Sequence, residues 1–267
     1  MMLPMFEYYV AQIPLAELRT HTWYGHNGAF FPETSTMWGS YTPANYGCNR
    51  SLYPCRPRPG TPSFPARLPD SMVCVPNLRH YYTQGLELSA LMLEYYWHTH
   101  DDQFATRILL PTIAAVLTFF LEHYGPEMYE AQLVLTPSQA LETWQNCVNP
   151  AQDIAGLIWV TQRALRIPRA VFAAAAKGAA ALQALETAVV LMPSFTFAND
   201  KDGAEYLKPG AYCDHAGNVE NPELYASHPF PLLAANRSEP WGFNETDTRY
   251  FELYLENSNH SVRAERF

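Results

Sequence analysis

The sequence predicts an all-α fold in which antiparallel helical hairpins stack as an α-toroid or a helical solenoid, with long loops at one end. Two observations lead to this prediction. Apolar residues recur at helical spacing in neighbouring pairs of segments, and stacked helix pairs of this kind build toroids and solenoids. Apolar residues make up 48% of the 267 residues and charged residues only 16%, so most of the chain is expected to fold around a large core.

The first helix and a long loop open the chain. Phe6–Leu18 has an approximate 3.6-residue apolar period, which Pro14 is expected to bend or break. The loop runs from about Gly25 to Arg79, and seven prolines lie within residues 54–76. This density of prolines predicts an exposed, poorly ordered insertion within a single domain.

Two helical hairpins follow the loop. The first joins Leu86–Thr99 to Gln103–His123 through residues 100–102, a His-Asp-Asp cluster suited to capping a helix. The second begins at Pro150, which fits the first turn of a helix, and ends at about Leu191. Three further segments are predicted: a short strand at Gln132–Leu135, a loop with short turns over residues 193–240 and a last amphipathic helix at Asp247–Asn257.

Charge and hydropathy exclude several classes of partner. A net charge of −9 argues against a nucleic-acid partner, because the phosphate backbone recruits basic proteins. We find no uninterrupted run of about 18 apolar residues, so no membrane span is predicted. The first seven residues contain neither a basic region nor an apolar core, so no targeting segment is visible.

Motifs for cofactors and metals are also missing from the sequence. The five cysteines lie at irregular spacings without a Cys-x-x-Cys pair, which argues against zinc. Cys48, Cys55 and Cys74 share the long loop, where they either remain free or pair in an oxidising compartment. The chain contains no P-loop, dinucleotide-binding, zincin or serine-hydrolase motif, so we predict neither a cofactor nor a metal.

Four phrases carry a resemblance to a known family. They are Tyr24–Thr34, Gln84–Leu88 with Leu93–Tyr96, Asn149–Ile154 and Asn218–Tyr225. Together they resemble the six-hairpin glycosidases, in particular relatives of glycoside hydrolase family 95, which contains α-L-fucosidases and α-L-galactosidases. The phrases Gly-Ala-Phe-Phe-Pro-Glu-Thr and Glu-Asn-Pro-Glu-Leu-Tyr are fairly specific to a branch near that family.

The resemblance implies a partial (α/α)6 toroid over residues 1–267, inverting hydrolysis of an oligo- or polysaccharide, and an extracellular or secretory location. The family's β-domain and first hairpins have no counterpart here, so the chain resembles the C-terminal half of a catalytic domain. We therefore expect the isolated chain to lack turnover and to self-associate. The alternative is a catalytically inactive carbohydrate-binding or helical scaffold fragment.

Three glutamates are candidates for the carboxyl groups that inverting glycosidases need on opposite sides of the bond. Glu33 follows an apolar Phe-Phe-Pro run, and Glu87 lies in the first turn of its predicted helix; either could be the general acid. Glu94 lies seven residues after Glu87, on the same helical face, and matches a glutamate of the family. The structural alternatives are a backbone-bonded loop carboxylate, a helix-terminal charge and an ion pair, respectively.

Five further residues are candidates for binding the substrate. Asp153 also fits a charge at a helix N-terminus, and the two residues of the Asn-Pro-Glu turn could equally stabilise their own loop. The five candidates are His26, Trp38, Asp153, Asn221 and Glu223. Because loop phrases are expected on one side of the helices, we predict convergence at one end of Glu33, Glu87, Asn221 and Glu223.

Overall fold

A computed structural model of the chain describes residues 2–33, 78, 80–125, 128–129 and 132–232. Within these ranges helices and short antiparallel strands share one apolar core. The all-α prediction is therefore wrong, and with it the description of the fold as a partial (α/α)6 toroid. The predicted helices are largely present, but the segments between and after them form β-structure.

Helix α1 spans Leu3–Tyr24, longer at both ends than the sequence predicts. Pro14 lies inside it on the exposed side and does not end it. Water can satisfy the carbonyl that the missing proline N–H leaves unpaired on this side. The helix ends at Gly25, which has φ 77° and donates its N–H to the His21 carbonyl, as left-handed caps do.

The first hairpin forms much as predicted. Helix α2 spans Gln84–Thr99, and a continuous helical rod follows as α3 (Asp102–Phe104), a π-helical turn (Ala105–Leu109) and α4 (Leu110–Tyr124). The Asp101 carboxylate caps the rod by accepting the N–H groups two and three residues later, at 2.9 and 3.0 Å. The predicted capping role of this cluster is confirmed.

The second hairpin is divided into three helices. They are α5 (Ala151–Ala164), α6 (Arg169–Ala174) and α7 (Gly178–Leu191), where the sequence predicts only two. The interruption brings the start of α7 against the end of α6. A Cβ atom at Gly178 would lie 1.8 Å from the Phe172 carbonyl oxygen, so this close approach depends on glycine.

The rod Asp102–Tyr124 is long and apolar enough to cross a membrane, with a mean hydropathy of 1.9. In this fold 72% of that apolar window is buried. Helix α4 packs against α1, α2 and α7, and its aromatic side chains lie in the core. The apolar character of the rod is thus accounted for by core packing.

The main sheet contains four antiparallel strands and lies beside the second hairpin. Strand β4 (Trp144–Pro150) is central and pairs with β3 (Ser138–Ala140), β7 (Gly210–Tyr212) and β8 (His215–Ala216). A disulfide joins Cys147 of β4 to the cysteine that follows β7, Cys213, a pairing that the sequence analysis did not identify.

Two further antiparallel pairs complete the β-structure. Strand β1 (Met128–Tyr129) pairs with β2 (Gln132–Leu133), and β5 (Phe197–Asn199) pairs with β6 (Glu205–Leu207). The predicted strand at Gln132–Leu135 is confirmed in its first half. The prediction of loop after residue 193 is wrong for β5 to β8, because strands of two or three residues carry no readable alternation.

Several predictions fall on residues 34–77 and 233–267, outside the described residues. They concern a binding residue, the proline-rich insertion, three cysteines and the last helix, namely Trp38, residues 54–76, Cys48, Cys55, Cys74 and Asp247–Asn257.

Candidate active site

Glu33 lies within electrostatic range of three glutamates from other segments, and we call Glu33, Glu87, Glu142 and Glu220 the carboxyl cluster. The charges of the other three all act on Glu33. The segments are the loop after α1, the first turn of α2, the turn between β3 and β4, and the stretch before a 3₁₀ helix at Pro222–Ala226. The tertiary fold thus gathers carboxyl groups that are up to 187 residues apart in the chain, from position 33 to position 220.

The Glu33 and Glu142 carboxyl groups hydrogen-bond to each other. Two carboxyl groups can share a hydrogen bond only when one of them is protonated. Desolvation raises the pKa of Glu33, and the charges of Glu142 and Glu220 raise it further. The pair is therefore suited to hold a proton at pH values where an isolated glutamate has lost it.

Glu220 is held as a hydrogen-bond acceptor beside this pair. Its carboxylate accepts the Glu142 backbone N–H at 3.0 Å and the Thr143 hydroxyl at 3.3 Å, while its own N–H donates to the same hydroxyl oxygen at 2.8 Å. The Asn218 side-chain amide donates to the Glu142 carboxylate at 3.3 Å. These contacts fix the relative position of the turn and the segment before the 3₁₀ helix.

The turn that carries Glu142 includes a strained residue. Leu141 has φ 51°, in the left-handed region that costs a non-glycine residue about 1–2 kcal/mol. Its side chain is buried, with 3% exposure. Strain of this kind persists only where the surrounding structure enforces it, and it recurs at functional sites.

A chain of hydroxyl groups leads to Glu87. The Tyr81 hydroxyl donates to the Tyr225 oxygen, and the Tyr225 hydroxyl donates to the Glu87 carboxylate. Burial raises the pKa of Glu87, while this hydrogen bond and the nearby His228 oppose the rise. Burial also raises the pKa of both tyrosines, which keeps their hydroxyl groups protonated as donors.

The predicted binding residue His26 anchors the loop that carries Glu33. Its Nδ1 bonds to the Asn27 carbonyl at 2.7 Å and its Nε2 to His123 Nδ1 at 2.8 Å, so both ring nitrogens are engaged. Asn27 in turn donates its backbone N–H to the Glu122 carboxylate at 2.7 Å. Burial lowers the pKa of both histidines, which favours a neutral pair.

Gly28 lets this loop lie directly on α4. It has φ 93°, and a Cβ atom there would lie 2.1 Å from the Phe119 backbone nitrogen. The next residue, Ala29, donates its N–H to the Ala115 carbonyl at 2.8 Å. The loop that carries Glu33 is therefore held by α4 backbone contacts as well as by side chains.

Glu94, the third catalytic candidate, lies apart from the carboxyl cluster. Seven residues of helix separate it from Glu87, about 10 Å along the axis. Its carboxylate lies 3.6 Å from the Arg163 guanidinium and 3.8 Å from His98, and its side chain is 44% exposed. The structure places it in an inter-helix ion pair.

Asp153 lies in the core behind the cluster. It is fully buried and accepts hydrogen bonds from the Thr83 hydroxyl at 2.5 Å and the Ser138 hydroxyl at 3.2 Å. Burial raises the pKa of Asp153 to about 7, against the lowering effect of the two hydroxyl donors. A side chain in this position joins α5 to α2 and β3 and does not reach solvent.

The Asn-Pro-Glu turn lies between Glu220 of the cluster and Tyr225 in the chain. Asn221 immediately precedes the 3₁₀ helix, and its carbonyl accepts the Leu224 N–H. Burial raises the pKa of Glu223 to about 7, and its Oε2 makes no hydrogen bond.

The sequence analysis missed half of the cluster, namely Glu142 and Glu220. Glu220 lies inside the phrase Asn218–Tyr225, in which only the two residues beside the proline were predicted to bind substrate. Glu142 lies in the phrase Leu-Glu-Thr-Trp, in a segment for which the sequence predicted neither an element nor a site residue. The only local sign of a polar site was the hydroxyl residue that directly follows Glu142, Thr143, whose side chain bonds to Glu220 in the structure.

The arrangement is one for proton transfer and polar binding. Among the described residues, no group of three or more His, Cys, Asp or Glu side chains could hold a metal ion. Comparison with known proteins gives no family model that matches this chain and no curated protein that matches it.

Proposed function

We propose that the carboxyl cluster hydrolyses glycosidic bonds, with the Glu33–Glu142 pair as proton donor and Glu87 as the base that activates water. The observation that carries the proposal is the grouping of three carboxyl groups: Glu220 accepts the Glu142 N–H at 3.0 Å, and both of these glutamates raise the pKa of Glu33. The proposal rests on the site and not on a toroid, and it replaces the expectation, drawn from half a toroid, that the isolated chain lacks turnover.

The proton donor must be the pair taken as one unit. Two hydrogen-bonded carboxyl groups are too close to lie on opposite sides of a bond, since inverting enzymes need about 6.5–9.5 Å between acid and base. The pair can instead retain one proton and deliver it to the leaving oxygen. Charge repulsion between neighbouring carboxylates and desolvation both favour that protonated form.

Glu87 supplies the second carboxyl group. The Tyr225 hydroxyl stabilises its charged form, which is the form a general base needs. Tyr225 is only partly buried, so its ring also offers an aromatic face for a sugar. Glu220, held by Thr143, adds a negative charge that would stabilise a developing oxocarbenium ion.

Two further observations support a glycan substrate. The phrases that resemble family 95 supply three of the cluster's four glutamates, Glu33, Glu87 and Glu220. The disulfide between Cys147 and Cys213 is of a kind that persists in oxidising compartments, where many glycans are found.

The test is hydrolysis of nitrophenyl fucoside, galactoside and related aryl glycosides by the purified chain, with Glu33→Gln and Glu87→Gln alongside. Each variant should lower kcat by about 10²–10⁴-fold, the usual contribution of a general acid or base. Glu186→Gln is the matched control, because Glu186 is an exposed glutamate paired with Arg169 on the helical surface. Turnover that survives both cluster variants would refute the assignment.

Glycan binding without turnover is the second candidate. It is favoured by the internal contacts of Glu142 and Glu220, whose carboxylates already accept hydrogen bonds from Asn218 and Thr143. Calorimetric titration with the same sugars separates the two. Binding without hydrolysis in the wild type, lost in Tyr225→Ala, would select this candidate.

A further inference from the structure

We propose that Gln139 and Gln145 are positioning residues that clamp the turn at Leu141 and Glu142 and so hold the Glu142 carboxyl group against Glu33. The inference rests on the proposed function only in naming the turn as part of a catalytic site. Its geometric content, the dependence of the carboxyl pair on two buried amides, stands by itself.

The two side-chain amides bind consecutive carbonyl groups of the turn. Gln139 Nε2 donates to the Leu141 carbonyl at 2.7 Å, and Gln145 Nε2 donates to the Glu142 carbonyl at 2.8 Å. Both glutamines are buried, with exposures of 1% and 9%. Because buried polar groups must be paired, these bonds are costly to lose.

The turn needs such support. Leu141 is in the left-handed region at φ 51°, and the β3–β4 register shifts between Ser138 and Ala140 just before it. Strand pairing therefore does not by itself set the direction in which Glu142 leaves the turn. The hydrogen bonds from the two glutamine side chains to the Leu141 and Glu142 carbonyls set this direction.

The orientation of the Gln139 amide is itself determined by its partners. Its Oε1 accepts the His80 backbone N–H at 2.8 Å, so its Nε2 must face the Leu141 carbonyl. Its backbone carbonyl accepts Gln152 Nε2 at 2.7 Å. His80 directly precedes Tyr81, so one amide connects the turn to the start of the hydroxyl chain that ends at Glu87.

The experiment compares Gln139→Leu, Gln145→Leu and Gln139→Glu with the wild type. Gln132→Leu is the matched control, because Gln132 is an exposed strand glutamine that bonds to Ser194 outside the site. Two readouts are collected on each folded variant. They are kcat and KM on the aryl glycosides, and the titration of the Glu33 carboxyl by ¹³C NMR, assigned with Glu33→Gln.

Each Leu variant should lower kcat about 10–100-fold and change KM less than about threefold, because displacement near 1 Å already costs about 10²-fold. The Glu33 titration should move towards the ordinary pKa of glutamate, because Glu142 is no longer held beside it. Gln139→Glu should be defective at neutral pH and recover in acid. A protonated carboxyl can donate to the Leu141 carbonyl as the amide does, and an ionised one cannot.

Folded Leu variants with an unchanged Glu33 titration would overturn the proposal, as would equal defects of Gln139→Glu at all pH values. If the wild type hydrolyses no glycoside, the proposed function fails while the titration still decides the inference. Should the Leu variants not fold, Gln139→Glu decides alone. Its Glu33 ¹³C signal should differ from that of the wild type at neutral pH and return to the wild-type position in acid.

Discussion

Two short segments of this protein each supply two very different carboxyl environments. At the start of α2, Thr83 bonds to the buried Asp153, and one turn later Glu87 lies in the carboxyl cluster. At the β3–β4 segment, Ser138 bonds to the same Asp153, and four residues later Glu142 contacts Glu33. The same two backbone segments therefore contact both the buried Asp153 and the carboxyl cluster.

The two environments raise a carboxyl pKa in different ways. Asp153 is desolvated and paired only with neutral hydroxyl groups, so its burial raises its pKa to about 7. Glu33 keeps contact with solvent, and neighbouring carboxylates add to the effect of partial desolvation. The first arrangement joins structural elements, and the second leaves a proton where a ligand can reach it.

The largest expected effect concerns the carboxyl cluster, which is the more exposed of the two environments. Glu142→Gln should reduce turnover at pH 7 by about 10²-fold or more. It removes a negative charge that raises the pKa of Glu33, so the donor loses its proton at lower pH. The alkaline limb of the pH–rate profile should therefore move to lower pH. The same limb in Glu142→Gln and wild type would show that the pair does not act as one donor.

The buried side should respond in stability instead. Asp153→Ala leaves the hydroxyl groups of Thr83 and Ser138 without their shared acceptor, which should cost about 2–4 kcal/mol of unfolding free energy. Glu220→Ala, at an exposed residue of the carboxyl cluster, should lower the unfolding free energy by less than about 1 kcal/mol. Urea denaturation of both variants measures the difference. Similar losses would mean that the two environments are not energetically distinct.

Asp153→Asn tests the pH dependence of the buried carboxyl. The folded pKa is raised to about 7 from an ordinary value near 3.8, so the folded state retains a proton that the unfolded chain releases. This contribution is present below about pH 4 and is lost as the pH rises to about 7. In the Asn variant, at least about 1 kcal/mol of this decline should disappear. Thermal unfolding at pH 4, 5.5 and 7 follows it, and parallel curves would contradict it.

The smallest expected effect concerns the hydroxyl chain. Tyr225→Phe removes the hydrogen bond that lowers the pKa of Glu87, so the base should protonate at higher pH. The acid limb of the pH–rate profile should move upward, and turnover at the optimum should fall about 3–10-fold. Tyr206→Phe, on β6, is the control. An acid limb that does not move would separate Glu87 from the catalytic base.

The helices and part of the site could be predicted from the sequence because their determinants are local. Apolar periodicity identified α1, α2, α4 and α5, and an Asp-containing cluster located the start of the rod that ends in α4. The continuity of α1 through Pro14 could not be predicted, because it depends on which helical face meets solvent. Strands of two or three residues were not predicted because they hold no period of their own, and the seven-residue β4 has no alternation of apolar and polar residues in its sequence.

For the site, the motif phrases alone predicted Glu33 and Glu87 as candidate catalytic carboxyl groups, and both belong to the cluster. The same reasoning could not distinguish Glu94, paired with Arg163, from a catalytic glutamate, nor detect that Asp153 is buried. Only the tertiary structure decided that Glu142 and Glu220 complete the group. Proximity, desolvation and the repulsion between carboxylates arise between segments far apart in the chain, and a linear pattern carries no record of them.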